Sequence, residues 1–199
     1  MKYLTISLHN MRKLGVGKGD IDKILSDFSC PLNSDVEEFV KLKAYDFDRV
    51  GLARTNLIYA FPNENHPILV ALFTIGLSHI IVSEELSKND KKRMFGTTYP
   101  IGGTLKTLLI GQLSKNYKNG YNQYITGETL MKLVFERIRE IHQIMPSVVT
   151  HIDCKDLVPL RNYYEKFGFT MFKNQKNRLV YLMPTNEIMD DSIKSENME

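Results

Sequence analysis

A mixed α/β (α+β) domain is what the sequence predicts, on three observations. Strand-length apolar runs alternate with segments of helical spacing. A buried-strand pattern, 104-TLKTLLIGQL-113, leads through a glycine-bearing polar loop, 117-YKNGYNQYITG-127, into a long amphipathic helix. A further strand, 148-VVTHIDC-154, follows that helix, so the three make a βαβ unit whose crossover should be right-handed.

Each element has its own signal. Residues 3–8 read as an opening strand, 11-MRKLGVGKGD-20 as a glycine-rich loop, and 20-DIDKILSDF-28 as a short helix. Asp35 is the expected N-cap of a helix over 36–50, since Val36, Phe39, Val40 and Lys43 or Ala44 fall at helical spacing. A hairpin follows, with strands 54–61 and 68–82 around the turn 62-PNENHP-67. The polar, basic stretch 84–103 reads as a surface loop with a short helix. Gly127 to Met145 predicts the long helix: Leu130, Leu133, Val134, Phe135, Ile138, Ile141 and Ile144 form its apolar face, and Pro146 ends it. After strand 148–154 come a helix over 156–167, Gly168 as its C-terminal cap, and strands near 169–173 and 178–183. The domain is thus expected to span 1–184, with 185–199 an acidic, disordered tail.

Composition limits the class. A hydrophobic share of 43% over 199 residues supports an ordinary globular core. Net charge is +3, yet the tail from Thr185 carries five acids and one lysine, which leaves the body near +7. Such a body favours an anionic ligand or nucleic acid, or is simply a solvated lysine-rich surface. Cys30 and Cys154 form no CxxC pair, which argues against zinc and disulfides and fits a reducing cytoplasm. No signal peptide is apparent, and the apolar stretch 68–82 is too short to cross a bilayer.

A helix N-terminus presents unpaired amides and partial positive charge, so the loop before the long helix suits a phosphate or pyrophosphate. Gly120 and Gly127 permit close backbone approach, Thr126 or Asn122 could add a side-chain contact, and Lys115 and Lys118 add charge. Neither GxGxxG nor GxxxxGK[ST] is present. Some forty residues on, 161-RNYYEKFGF-169 carries two tyrosines about 100° apart on a helix, one of which packs while the other faces the cleft. A phenol is protonated at neutral pH and can give its proton to a thiolate of comparable basicity.

Strand 104–113, loop 118–127 with its helix, strand 148–154 and the tail YYEKFGF together resemble the GNAT-type (Gcn5-related) N-acetyltransferases, over about residues 30–183. The resemblance implies a mostly antiparallel central sheet flanked by helices. That family's Q/R-x-x-G-x-G/A loop falls on Asn122 to Gly127, with Ile125 where the first glycine would be and Asn122 where the leading Gln or Arg would be. By resemblance acetyl-CoA is the acyl donor, held by Leu113, Ser114, Lys115, Asn119, Gly120, Tyr121, Asn122, Ile125, Thr126 and Gly127. The amides of Leu113 and Lys115 would orient the pantetheine and polarise the thioester carbonyl. The family's Tyr-x-x-x-Gly-Phe pattern makes Tyr164 the general acid for the departing CoA thiolate, with Tyr163 packing. The segments 35–59, with its "LART", and 108-LLIGQLSKN-116 narrow the resemblance to the GNAT toxins and related proteins of mobile elements. This implies an amine acceptor (aminoacyl-tRNA, a protein or a small molecule), an antitoxin partner and a homodimer.

Three further features are weighed. The central strand 104–113 has no carboxylate to serve as base, which favours an α-amine acceptor over a lysine; Glu84, Glu85 and His79 are the other basic candidates. Cys154 could form an acyl-cysteine or be a small buried residue. The basic runs 88-KNDKKR-93 and 173-KNQKNR-178 could flank tRNA or be solvated surface. The rival to an enzyme is a non-catalytic binding module of the same fold.

Overall fold

The structure, a computed structural model, describes residues 1–63, 66–83, 86–96, 103–175 and 178–190. The elements run β1 (Tyr3–Ser7), α1 (Leu8–Lys13), α2 (Lys18–Ser26), α3 (Ser34–Leu42), α4 (Ala44–Val50), β2 (Arg54–Asn63), β3 (His66–Val82) and α5 (Lys88–Phe95). They continue with β4 (Gly103–Lys115), a 3₁₀ segment (Lys118–Tyr124), α6 (Gly127–Ile144), β5 (Val149–Lys155), α7 (Val158–Lys166), β6 (Thr170–Gln175), β7 (Arg178–Pro184) and α8 (Thr185–Met189). The seven strands form one sheet in the order β1-β2-β3-β4-β5-β7-β6. β1–β2, β2–β3, β5–β7 and β6–β7 are antiparallel, while β4–β5 is parallel. The expected βαβ unit is therefore β4–α6–β5. Its parallel register comprises three pairs, from Leu108↔Thr150 to Ile110↔Ile152.

Contacts divide the chain into two compact units. The first is Met1–Gly76 with Gly111–Val134, the second Leu77–Ile110 with Phe135–Glu199. In the first, Leu8, Ile21, Leu25, Phe28, Val36, Val40, Leu57 and Leu72 make a core in which helices α1 to α4 bury their apolar stripes. In the second, Ile80, Val82, Met94, Phe95, Val149 and Leu182 pack on the α5 side. Phe135 of α6 stacks on Phe169, with ring centroids 6.2 Å apart, and meets Phe167 edge-on.

Several elements differ from expectation, each for a local reason. The stretch read as a loop from Met11 begins inside α1: Ser7 caps that helix by accepting from the Asn10 amide, and Leu8 and Met11 are buried. Gly15 then turns the chain at φ +86°. The helix expected over 36–50 is two helices, broken at Lys43, and its cap is Asn33 rather than Asp35. Asn33 Oδ1 accepts from the Asp35 amide at 3.2 Å, which puts Asp35 in the first turn.

The break lets α4 present Asp48, which is fully buried. Asp48 accepts from Arg12 at 2.8 Å, from Arg54 at 3.3 Å and from the Thr55 amide at 2.8 Å, so one carboxylate ties α1, α4 and β2 together.

The tail expected from 185 starts later. Residues 185–189 form α8, with Thr185 and Ile188 buried. Thr185 Oγ1 lies 3.1 Å from Thr150 Oγ1, and Arg139 donates to the Ile188 carbonyl. Residues 191–199 of that expected tail lie outside the described residues, as do Glu84, Glu85 and 97–102.

Candidate functional site

The first unit carries the loop and all ten residues assigned to acyl-donor binding. At Gly111–Gln112 of β4, Thr74 Oγ1 of β3 accepts from the Gln112 amide at 2.7 Å. A Cβ on Gly111 would stand 2.6 Å from that hydroxyl, which is why the position is glycine. Leu113, Ser114 and Lys115 follow at the end of β4, all half-buried. The Ser114 hydroxyl is spent locally, on Cys30 Sγ at 3.1 Å and the Lys115 carbonyl at 2.9 Å, which leaves the backbone as its available contact.

Asn116 then fixes the loop's departure. Buried to 1% exposure, it accepts from the Ser29 and Lys118 amides at 3.0 and 3.1 Å and donates to the Leu69 carbonyl at 2.9 Å. Its own amide donates to the Val70 carbonyl. Sequence reasoning missed this residue; the only signal was a lone Asn closing an apolar strand.

Asn119 and Gly120 both sit in the left-handed region, at φ +49° and +74°. Gly120 does so at no steric cost, and Asn tolerates it better than most residues. Tyr121 and Asn122 continue the 3₁₀ segment, and the Tyr121 hydroxyl accepts from Asn119 Nδ2 at 3.2 Å. Tyr3 braces the segment's end by donating to the Tyr124 carbonyl at 2.8 Å.

Ile125 is 2% exposed, so its side chain is core. Thr126 caps α6: its Oγ1 accepts from the Thr129 amide at 3.0 Å and its carbonyl from the Leu130 amide. Its hydroxyl is therefore committed to the helix. Gly127 opens the 18-residue α6, whose aligned dipoles place positive potential at this end. Lys118 is paired with Asp27 at 3.2 Å across solvent and so adds less charge than the sequence suggests.

The second unit carries Tyr164. It lies on α7, 6% exposed, with ring centroids 5.2 Å from Tyr163, and 6.1 Å from both Phe169 and Tyr181. Burial, then the neighbouring Cys154 and Tyr163, push its phenol pKa well up, so it is protonated throughout the neutral range. Tyr163 is half-buried and packs edge-on against Phe167. The Tyr181 hydroxyl donates to Glu165 at 2.9 Å, and burial with that contact raises its pKa to about 12.

Burial also raises the Cys154 thiol to about 11, which removes the thiolate an acyl-cysteine route requires. His79, a candidate base, is exposed on β3. The basic run 88–93 forms α5 with Lys88, Lys92 and Arg93 exposed. Of the run 173–178, residues 174–177 fall outside what can be described of side chains. Among the described residues no cluster of three His, Cys, Asp or Glu could hold a metal, and no helix is long and apolar enough to cross a membrane.

No protein-family model matches the chain, and no curated protein matches it. Solved structures do. A tyrosine-to-phenylalanine mutant of KacT superposes at TM-score 0.67 and 14% identity, covering 95% of this chain and 98% of that one. AtaT complexed with acetyl-methionyl-tRNAfMet gives 0.65 at 14% identity, over 94% and 98%. The chain has the GNAT fold of these toxins. A tyrosine-to-phenylalanine AtaT mutant, bound to the C-terminus of the antitoxin AtaR and acetyl-CoA, gives 0.63 at 12% identity, over 94% and 96%. The GNAT architecture accounts for the long β4, the α6 crossover and the parallel β4–β5 pair described above.

Proposed function

We propose that this chain is an acyl-CoA-dependent N-acetyltransferase that moves acetyl from acetyl-CoA to a primary amine by direct attack in a ternary complex. The acceptor we favour is the α-amine of aminoacyl-tRNA, and the biological setting is a toxin paired with an antitoxin protein in the cytoplasm. The observation that carries the reading is Tyr164: a buried, protonated phenol held against the end of β5, in a fold whose solved neighbours include tyrosine-to-phenylalanine mutants.

The residues present suit the donor. The left-handed pair Asn119–Gly120, the braced Tyr124 carbonyl and the N-terminus of α6 form a polar backbone surface that needs no particular side chain. On this reading the backbone from Asn119 to Gly127 holds the pyrophosphate, and the amides of Leu113 and Lys115 orient the pantetheine and polarise the carbonyl. Acetyl-CoA supplies the activated thioester. As the amine nitrogen bonds to the carbonyl carbon and the C–S bond breaks, Tyr164 gives its Oη proton to the sulfur; the proton lost by the amine goes to solvent, from which the phenol is restored.

Ile125 favours a second reading, a binding module of the same fold that has lost its donor. The side chain replaces a glycine of the family's loop and is spent on the core.

Calorimetry with acetyl-CoA separates the two. Micromolar binding by the wild type, abolished in Gly127→Trp with the fold intact by circular dichroism, is the expected result. Absence of binding in the wild type gives the case to the binding module.

A further inference from the structure

α7 is weakly fixed by its own sequence. It has nine residues, Leu157 at its N-cap lends no side-chain hydrogen bond, and no acid stands in its first turn. A helix so short and uncapped is marginal alone. Arg161 Nε donates to Asp156 at 2.7 Å. Both residues belong to one short stretch of chain, so that bond stiffens the helix without setting how it turns toward the sheet. A proton donor nonetheless has to be aimed closely, since a displacement of about 1 Å can cost roughly a hundredfold in rate.

Tyr164 meets its neighbours through rings, those of Tyr163, Phe169 and Tyr181. Apolar burial is non-directional, so it seats the ring without fixing the angle of the helix that carries it.

The next residue supplies the direction. Glu165 lies about 100° round the helix from Tyr164, and its Oε1 accepts from the Tyr181 hydroxyl at 2.9 Å. Tyr181 is a firm anchor. It is fully buried in β7, a strand paired on both sides, with Ile152 of β5 opposite it on one and Met171 of β6 on the other. Leaving that hydroxyl unpaired costs free energy, so the bond resists a turn of α7 in either sense.

We infer that Tyr181 and Glu165 form a positioning pair for Tyr164: their hydrogen bond sets the rotation of α7 about its axis and so aims the Tyr164 hydroxyl. The catalytic meaning rests on the acid role proposed above; the coupling of α7 to β7 does not. What the pair needs is an acceptor oxygen at position 165, not a negative charge.

Three variants test this. Tyr181→Phe keeps the buried ring and removes only the hydroxyl, Glu165→Ala removes the acceptor at an exposed position, and Glu165→Gln keeps a side-chain oxygen without the charge. Ring ¹H–¹³C spectra of the full chain without ligand are read at Tyr164, whose signals are identified by their loss in Tyr164→Phe. They are expected to move in the same direction in Tyr181→Phe and Glu165→Ala, and to keep their wild-type positions in Glu165→Gln. With acetyl-CoA and a pool of aminoacylated tRNA, kcat is expected to fall about 10- to 100-fold in the first two variants, and no further in the double variant, because both break one bond. Acetyl-CoA affinity by calorimetry stays unchanged, and Glu165→Gln turns over like the wild type. Tyr164 signals that stay in place in Tyr181→Phe, losses that add in the double variant, or a Glu165→Gln as impaired as Glu165→Ala overturn the inference. Tyr164 signals that move as expected, in a chain whose wild type transfers no acetyl, keep the pair's hold on α7 and remove the acetyltransferase reading instead.

Discussion

Tyr164 illustrates how one environment sets both the strength and the limit of an acid. Burial favours the neutral phenol, so the proton is always present at neutral pH. The same burial makes the tyrosinate expensive, which lowers the phenol's acidity relative to the thiolate it would protonate. Tyr164→Phe retains the aromatic packing against Phe169 and Tyr181 and removes only the hydroxyl. Turnover is expected to fall by about 10²–10⁴-fold, the usual range for a general acid, with acetyl-CoA affinity unchanged by calorimetry. Equal losses of turnover and affinity would count against the acid role. The choice between Tyr163 and Tyr164 came from the resemblance, because the two residues are chemically identical in sequence. The structure buries Tyr164 and leaves Tyr163 the more exposed of the two, the reverse of the packing expected for them, because α7 turns Tyr164 onto Phe169 and Tyr181.

At the scale of the element, the first unit depends on short helices that isolated propensity would not hold. Helices of six and seven residues are marginal on their own. Asp48 compensates by anchoring α4 to Arg12 of α1 and to Arg54 and Thr55 of β2. Removing the carboxylate leaves the Arg12 side chain and the Thr55 amide without it in a place of little water. Asp48→Ala is expected to lower stability by about 3–5 kcal/mol, the range for breaking a buried ion pair from one side, measured by urea unfolding with an unchanged m-value. A loss under about 1 kcal/mol would mean that the pair behaves as a surface contact. This network also explains why the helix over 36–50 was misread. The apolar spacing runs through Lys43 without a break, and nothing local says that Asp48 must turn inward to meet two arginines. Long α6 was legible almost to the residue, because an apolar stripe and Pro146 agree, although Ile144 of the expected face is exposed and the Thr126 cap was not foreseen.

For the whole molecule, groups with lowered pKa values shape the response to acid, His151, His9 and Glu37 among them. His151 has its pKa held below the ordinary 6.5 by burial. Above pH 6.5 the folded and unfolded chains are both neutral there, and the group has no effect on stability. As pH falls below 6.5 the unfolded chain takes up a proton that the folded chain resists, so stability declines until the folded pKa is passed. Glu37 acts lower. Its hydrogen bond from Lys41, then that from the Cys30 amide, depress its pKa below 4.5. The stability it contributes above 4.5 is lost as pH falls through the depressed value. Unfolding free energy measured from pH 8 to 4 is expected to be flat down to about 6.5 and then to decline. His151→Gln is expected to make the first part of that decline shallower, leaving the share that His9 contributes; an unchanged profile in the variant would assign the slope elsewhere.

Legible in the chain alone were the class of fold, the order of the strands along it, the βαβ unit and the loop that precedes α6. Those features are written in local patterns: apolar periodicity, caps and turn glycines, which act over a few residues. What local patterns could not carry came from contacts between distant segments. Gly111 is glycine because a hydroxyl from β3, thirty-seven residues earlier in the chain, occupies the space of its Cβ. Asn116 satisfies amides and carbonyls from three separate segments. α8 exists because Ile188 and Thr185 find a buried seat in the second unit, although TNEIMDD reads as an acidic tail. In each case the deciding contact joins residues far apart in sequence, and its free energy comes from desolvation that exists only once the chain has closed around it.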